Sequence, residues 1–383
     1  MTNSMQNNIP ETLHGGDVWN LDCKTSAEKI VDFSSNVNPL GPPKSVSVAI
    51  RRCVNRISQY PDIEQRALRE AIAKYVGLDR KNIVAGNGST DLIYLASDVL
   101  MGRNGRKQTS KSVCIPVPTF AEYERAARRA GAGVVYSYAD HNVRINLDDL
   151  MEKIPTNGMV FLCNPNNPNG QLWERNQIEH FVNNAQSRNC TVCVDEGFIE
   201  FVEQPNDFSL AMCVKKYHNL VVIRSLTKSF CIPGLRIGYI LSSEETASKL
   251  AAAQPPWSVN CVAEVCAIAA LDDSSAYLER TRKLVTREAR YLEDELKKMD
   301  LLVIHSQANF LLVNIRKTNI NGKELKKKLI ERYGLLIREC SSFRGLDEFW
   351  IRVAVRGHGE NVMLTNALRQ LIQRREGIAS NGG

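Results

Sequence analysis

A two-lobed α/β protein on a mainly parallel sheet is what this chain predicts, and three observations predict it. Short apolar runs alternate with amphipathic stretches from Asn82 through Ser242, the pattern of strands joined by helical crossovers. A long helical stretch from about Ala263 to Met299 then leads into a smaller α+β segment ending near Arg375. At 383 residues the chain exceeds one ordinary domain, so two packed lobes are expected. The division is an arm over 1–45, a large lobe over 46–262 and a small lobe over 263–375, before a polar tail, Glu376 to Gly383, expected to be disordered.

The first informative element is the run Asn82–Val84, followed by Ala85-Gly86-Asn87-Gly88-Ser89-Thr90-Asp91 and the amphipathic stretch Leu92–Leu100. Glycines followed by Ser-Thr at a helix start form an anion site, because free N–H groups, hydroxyls and the helix dipole converge there. The loop is neither a Walker loop nor a dinucleotide fingerprint, since it lacks the lysine and the glycine spacing. A plain, well-capped helix is the alternative.

Next, the run Met159–Cys163 enters Asn164-Pro165-Asn166-Asn167-Pro168-Asn169-Gly170. Two Asn-Pro steps and a glycine require a tight, rigid turn that can hold an amide in place. Asp195 then ends the short apolar run Thr191–Val194, which reads as a buried strand. A carboxylate there is costly without a compensating partner, and a protonated ring nitrogen is one such partner; capping the next helix is the plainer role.

The most informative run is Ser225-Leu226-Thr227-Lys228-Ser229-Phe230, followed by Gly234-Leu235-Arg236-Ile237-Gly238. Apolar β-type runs, Leu220–Ile223 and Ile237–Leu241, lead in and out. A lysine at a strand end, flanked by a hydroxyl and a guanidinium, suits an imine to a phosphorylated aldehyde whose phosphate the other two groups hold.

Composition narrows the classes. The chain is 43% hydrophobic and 24% charged, as in a soluble globular protein, and no apolar run approaches the ~20 residues of a membrane helix. Met1 to Asn8 lack the pattern of a signal peptide, and eleven irregularly spaced cysteines fit reduced thiols, so a cytoplasmic location is expected. Cys190 and Cys193 form a C-x-x-C within a strand, which favours core packing over redox chemistry. The six histidines have no metal-ligand spacing. A net charge of +7 favours an anionic small substrate; no nucleic-acid motif accompanies it.

Taken in order, these segments resemble the fold type I pyridoxal-phosphate enzymes, the aspartate aminotransferase superfamily, over roughly residues 30 to 356. The resemblance implies pyridoxal 5'-phosphate as cofactor, with Lys228 as its attachment lysine, Asp195 as partner of the ring nitrogen and Asn167 on the ring oxygen. It implies Ser89, Thr90, Ser225 and Arg236 around the phosphate, and Phe120 stacked on the ring. Tyr60 resembles the tyrosine that reaches the cofactor of a neighbouring subunit, which implies a homodimer with shared sites. Arg352 resembles the arginine that grips the substrate carboxylate. Many aminotransferases carry a tyrosine where this chain has Phe198, so one phenol contact is lost.

A narrower resemblance rests on His14-Gly15-Gly16, Ser35-Asn36-Val37-Asn38-Pro39, Asp195-Glu196-Gly197-Phe198, Pro256-Trp257-Ser258 and Ile337-Arg338-Glu339-Cys340-Ser341-Ser342-Phe343-Arg344. This set is similar to the L-threonine-O-3-phosphate decarboxylases of cobamide biosynthesis, although an aspartate usually stands where this chain has Glu339. It implies that Arg338 and His14, with Arg344 as a third candidate, hold a substrate phosphate, while Arg352 and the Asn36 region meet the carboxylate. The related histidinol-phosphate aminotransferases usually have tyrosine at the position of Phe198 and lack the His-Gly-Gly arm. O-phosphoserine as substrate, and a regulatory domain that only binds the cofactor, are the remaining alternatives.

Overall fold

The computed structural model describes residues 14–16, 18, 30–102, 111–272 and 274–380, with side chains described as far as residue 372. Thirteen strands appear among them. In chain order they are β1 (Val31–Asp32), β2 (Ile83–Gly86), β3 (Ser112–Val117), β4 (Gly133–Tyr138), β5 (Met159–Cys163), β6 (Thr191–Asp195), β7 (Leu220–Ser225) and β8 (Gly238–Ser242). These are followed by β9 (Leu302–Ile304), β10 (Phe310–Asn314), β11 (Leu335–Leu336), β12 (Arg338–Glu339) and β13 (Trp350–Ala354).

The large lobe is a seven-stranded sheet in the order β2-β8-β7-β6-β5-β3-β4. Only β8 runs antiparallel to its neighbours, so the expected mainly parallel sheet is found. Its strands are covered on both faces, as parallel strands require. Val192, Val194, Leu220 and Val222 point to one apolar layer, with the helices Arg66–Val76, Arg175–Ala185 and Cys261–Asp272. The alternate residues, Cys193, Val221 and Ile223, point to the other, with Gly88–Met101, Glu122–Arg129 and Glu244–Ala253. Cys190 and Cys193 are fully buried, in keeping with a packing role.

The small lobe packs the four-stranded sheet β12-β13-β10-β9 around Phe310, Leu311, Val353 and Leu292. The arm joins it: β1 pairs in parallel with β11, and Phe33 enters the small-lobe core.

Two sequence boundaries fall elsewhere. The helical stretch begins with Cys261–Asp272, whose Ala263, Cys266, Ala267 and Ala270 belong to the large-lobe core, so the division at 262/263 falls within the first turn of a large-lobe helix. That helix is apolar on most sides and gives no amphipathic cue to its partner. The final helix, His358–Ser380, runs into the stretch expected to be disordered from Glu376, and residues 381–383 lie outside the described set.

The parallel strands deliver their carboxyl ends to one edge of the sheet: Asn164 follows β5, β6 ends at Asp195 and β7 at Ser225. Open α/β sheets bind ligands outside those ends. The fold behind that edge rests on side chains such as Phe161, fully buried in β5 and stacked on Tyr123 at 4.6 Å. Phe161→Ala should cost about 3–5 kcal/mol, the range for emptying an aromatic core position. Denaturant titration checks this, and a loss below about 1 kcal/mol contradicts the packing described.

Candidate active site

The carboxyl edge opens into a cavity of about 460 Å³ between the lobes. His14, Asn36, Ser89, Thr90, Phe120, Asn167, Lys228, Arg236, Arg338 and Arg352 all line it. Asp195 and Ser225 are buried behind that lining, each one contact away from Lys228 or its neighbours.

Lys228 sits on the one-turn helix Leu226–Ser229 that follows β7, and its Nζ donates to Ser225 Oγ at 3.3 Å. Burial pushes its amine below the ordinary lysine range; Asp195 opposes that, and Arg236 and Arg352 add to it. Asp195 is pushed the other way by burial, against the pull of Lys228, the Tyr123 hydroxyl and the Gly197 N–H. Tyr123 donates to Oδ2 at 2.7 Å and Gly197 N–H to Oδ1 at 2.8 Å. The carboxylate is therefore fixed in direction while its charge lacks a full partner.

Ser89 and Thr90 open the helix Gly88–Met101, and Ser225 lies under Lys228. Gly88 has φ +88°, and a Cβ there would lie 2.6 Å from Arg236 Nη2. Gly238 is as constrained: its Cβ would meet the Arg224 carbonyl at 2.7 Å and Ser89 N at 2.8 Å. Two glycines thus keep hydroxyls, helix N–H groups and a guanidinium around one small space, a donor set that fits a phosphate. With Lys228 and Asp195 at the same edge, the residues present fit pyridoxal 5'-phosphate.

The small lobe contributes the other cations. Arg338 and Arg352 are both buried and stand directly opposite each other in the β12–β13 ladder. Arg352 donates to Asn167 Oδ1 and to the Ser34 carbonyl, the latter at 2.8 Å, and its Nε has no partner among the described residues. Burial pulls this guanidinium down to about 10, with Cys340 opposing and Arg338 adding to the effect. Arg338 donates to Ser342 Oγ at 2.6 Å. Because Arg352 occupies Asn167 Oδ1, the Asn167 amide N–H₂ is left to donate into the pocket. Asn36 is buried, and its Oδ1 has no partner among the described residues.

Two expected residues are elsewhere. Arg344 lines a neighbouring hollow, where it bonds Glu124 at 3.3 Å and lies over the Tyr136 ring at 4.2 Å. It is not among the residues that line the larger cavity, where Arg338 and His14 are. Tyr60 is 81% exposed and stacks on Trp257 at 4.6 Å, outside its own chain's pocket.

Several functional neighbours were missed from sequence. Tyr123, one helical turn after Phe120, orients Asp195; Glu122 accepts from His14 at 2.9 Å. The signal was present in Phe120-Ala121-Glu122-Tyr123, the turn that leads from the expected ring-stacking aromatic into the helix Glu122–Arg129, where the Phe120 and Tyr123 rings meet edge-on at 5.6 Å. Phe198 packs on Phe201 and Phe310, with Lys228 Nζ 5.3 Å from its ring. Among the described residues no group of His, Cys, Asp and Glu is arranged to hold a metal.

The fold and the pocket define a fold type I pyridoxal-phosphate enzyme, and residues 28–371 match the family model for aminotransferase class I and II, so the chain belongs to that family. Within it, the chain is 38% identical over 368 residues to a protein of Caldanaerobacter subterraneus subsp. tengcongensis provisionally named threonine-phosphate decarboxylase, covering 95% of each chain. It is 33% identical to the threonine-phosphate decarboxylase of Salmonella typhimurium, covering 94% of this chain and 97% of that one. A solved structure, the histidinol-phosphate aminotransferase of Clostridium acetobutylicum, superposes with TM-score 0.81 at 35% identity, over 89% of this chain and 99% of that one.

Gly238→Ala places a methyl against backbone on both sides and should weaken cofactor affinity about tenfold or more, since each 1.4 kcal/mol is a factor of ten. Spectrophotometric titration with pyridoxal 5'-phosphate measures it; unchanged affinity would remove the phosphate from this space.

Proposed function

We propose that this chain decarboxylates L-threonine O-3-phosphate to (R)-1-amino-2-propanol O-2-phosphate, with pyridoxal 5'-phosphate as cofactor. The observation that carries the reading is the pair Arg338 and Arg352, two buried guanidiniums side by side at the mouth of a lysine–aspartate site. A substrate with a phosphate at one end and a carboxylate at the other answers both. The two near-full-length relatives named for this activity support it.

The cofactor, when bound, supplies an electron sink for the bond that breaks at the substrate Cα. Ser89, Thr90, Ser225 and Arg236 hold its phosphate, Asp195 its ring nitrogen and the Asn167 amide its ring oxygen. Lys228 would anchor it, and its buried amine, held below the ordinary lysine range, is the group placed to return a proton to the substrate Cα. Arg338, with His14 and Ser342, takes the substrate phosphate. Arg352 and Asn36 would meet the carboxylate and fix its direction relative to the bound cofactor, which decides the bond that breaks. That orientation raises the rate, whereas tighter binding of both ends alone lowers KM.

Transamination of histidinol phosphate is the second reading, favoured by the Clostridium acetobutylicum structure. Against it stands Phe198, which presents no hydroxyl to the ring oxygen beside Lys228. O-phosphoserine differs from the proposed substrate by one methyl group, worth only about 1–3 kcal/mol in a pocket.

The working form is proposed to be a homodimer in the cytoplasm. Exposed Val54, Ile57, Tyr60, Ile63 and Trp257 form an apolar surface for a second copy, with Tyr60 available to its site. All ten described cysteines are free, as a reducing compartment keeps them, and no described helix is long and apolar enough to cross a membrane.

Mass spectrometry of purified protein with cofactor and L-threonine O-3-phosphate should show aminopropanol phosphate without any keto-acid acceptor. Intact substrate, together with amino transfer from histidinol phosphate to 2-oxoglutarate, would replace this reading with the second.

A further inference from the structure

The pocket wall holds a carboxylate that a site for a doubly charged anion has reason to avoid. Glu122 is 4% exposed and lines the cavity. Facing a phosphate, it would repel the ligand unless its charge were engaged elsewhere. It is fully engaged. Oε1 accepts from His14 Nε2 at 2.9 Å and from Arg125 Nη1 at 3.2 Å, and Oε2 accepts from the Tyr94 hydroxyl at 2.6 Å. Burial works to raise this carboxyl, but the hydrogen bonds from His14, Tyr94 and Arg125 outweigh it and hold it at about 2.

The three donors come from three places in the fold. Tyr94 belongs to the helix Gly88–Met101, Arg125 lies one turn along Glu122's own helix, and His14 arrives from the arm, 108 residues away. The arm has a second fixed point beside His14. Gly16 N–H donates to Ser34 Oγ at 2.8 Å, and Gly15 runs so close that a Cβ would lie 2.0 Å from the Ser34 carbonyl. That carbonyl also accepts from Arg352. His14 is therefore held between the segment that braces the carboxylate end and the helix that carries Glu122.

We infer that Glu122 is a positioning residue for the phosphate end of the substrate, and through that end a determinant of specificity. By taking Nε2 it turns His14 Nδ1 to the ligand, and it sets Arg125, which also lines the cavity, as a further cation for the same phosphate. Fixing a ring by one nitrogen so that the other faces the reaction is how carboxylate–histidine pairs act elsewhere. The inference rests on the decarboxylase reading and names how one end of its substrate is recognised.

The test is a double-mutant cycle on purified, cofactor-loaded protein with Glu122→Ala, Glu122→Gln, His14→Ala and His14→Ala/Glu122→Ala. Two readouts are used: KM and kcat for L-threonine O-3-phosphate, and calorimetric affinity for O-phosphoethanolamine and L-threonine. Glu122→Ala should raise KM and weaken O-phosphoethanolamine about tenfold or more, the loss of a charge-assisted contact. Its kcat should stay within about threefold, since ground-state and transition-state binding fall together. L-threonine affinity and cofactor absorbance should not change. Glu122→Gln, which keeps an oxygen for His14, should recover most of the loss. His14→Ala should add less than about twofold on top of Glu122→Ala, as coupled residues do.

Multiplying effects of the two substitutions, or an equal loss of L-threonine and cofactor, would overturn the inference and leave Glu122 a brace of the fold. If Glu122→Ala does not fold, Glu122→Met, which keeps the bulk of the side chain but offers His14 no acceptor oxygen, takes its place in the cycle with the half-exposed His14→Ala. A wild-type protein that binds O-phosphoethanolamine but decarboxylates nothing overturns the functional reading alone, and the binding cycle still decides the role of Glu122.

Discussion

Arg352 is buried with no carboxylate of the described residues in ion-pair distance, and the pocket is arranged around that fact. Its hydrogen bonds go to neutral oxygens, its Nε has none among the described residues, and burial pulls even a guanidinium down to about 10. Burying an uncompensated charge costs several kcal/mol, at order-of-magnitude level, so a stable fold keeps such a group only where something else supplies the counter-charge. Packing on the Phe310 ring at 5.3 Å offsets part of the cost. An anionic ligand, as the proposed function requires, would supply the rest. Arg338, opposite it in the ladder, adds a second positive charge to the same wall and strengthens the pull on that ligand.

The same constraint on buried charge explains the cofactor end. Lys228 is pushed down and Asp195 up because each is buried, and neither fully satisfies the other. A phosphorylated pyridine with a protonated ring nitrogen fits this donor set: Arg236 and the helix start would hold its phosphate, and Asp195 its ring nitrogen. Topology brings these groups together. The large lobe provides the cofactor end from the carboxyl ends of β5, β6 and β7, and the small lobe provides the substrate cations from one antiparallel ladder. Asn167 ties the two, since it follows β5 in the large lobe, lines the cavity and accepts at Oδ1 from Arg352 of the small lobe.

Strand-end residues were legible in the sequence because desolvation penalises a polar group that closes an apolar run, and a ligand or a helix start must relieve it. Asp195 was placed on that ground, the Ser89-Thr90 pair on the helix start that follows two glycines, and Ser225 on its spacing from Lys228. Residues on helix faces were not. Glu122 and Tyr123 open a helix whose charged and apolar positions alternate as any amphipathic helix does, and only the fold shows which face meets the pocket. The direction of Arg344 was not legible because the loop after β12 has no periodicity; its side chain lies against Glu124 and the Tyr136 ring. The lobe boundary was misplaced for the opposite reason, an apolar helix whose partner no pattern declares.

The proposed function requires two separate cationic anchors, one for each anionic end of the substrate, rather than a single anion site. Calorimetric binding separates the two cases, using O-phosphoethanolamine, which lacks the carboxylate, and L-threonine, which lacks the phosphate, with Arg338→Gln and Arg352→Gln. Separate anchors require a crossed pattern: Arg338→Gln loses O-phosphoethanolamine and keeps L-threonine, and Arg352→Gln does the reverse. Equal loss of both ligands in both variants would contradict them, and would make the arginine pair a single undivided anion site.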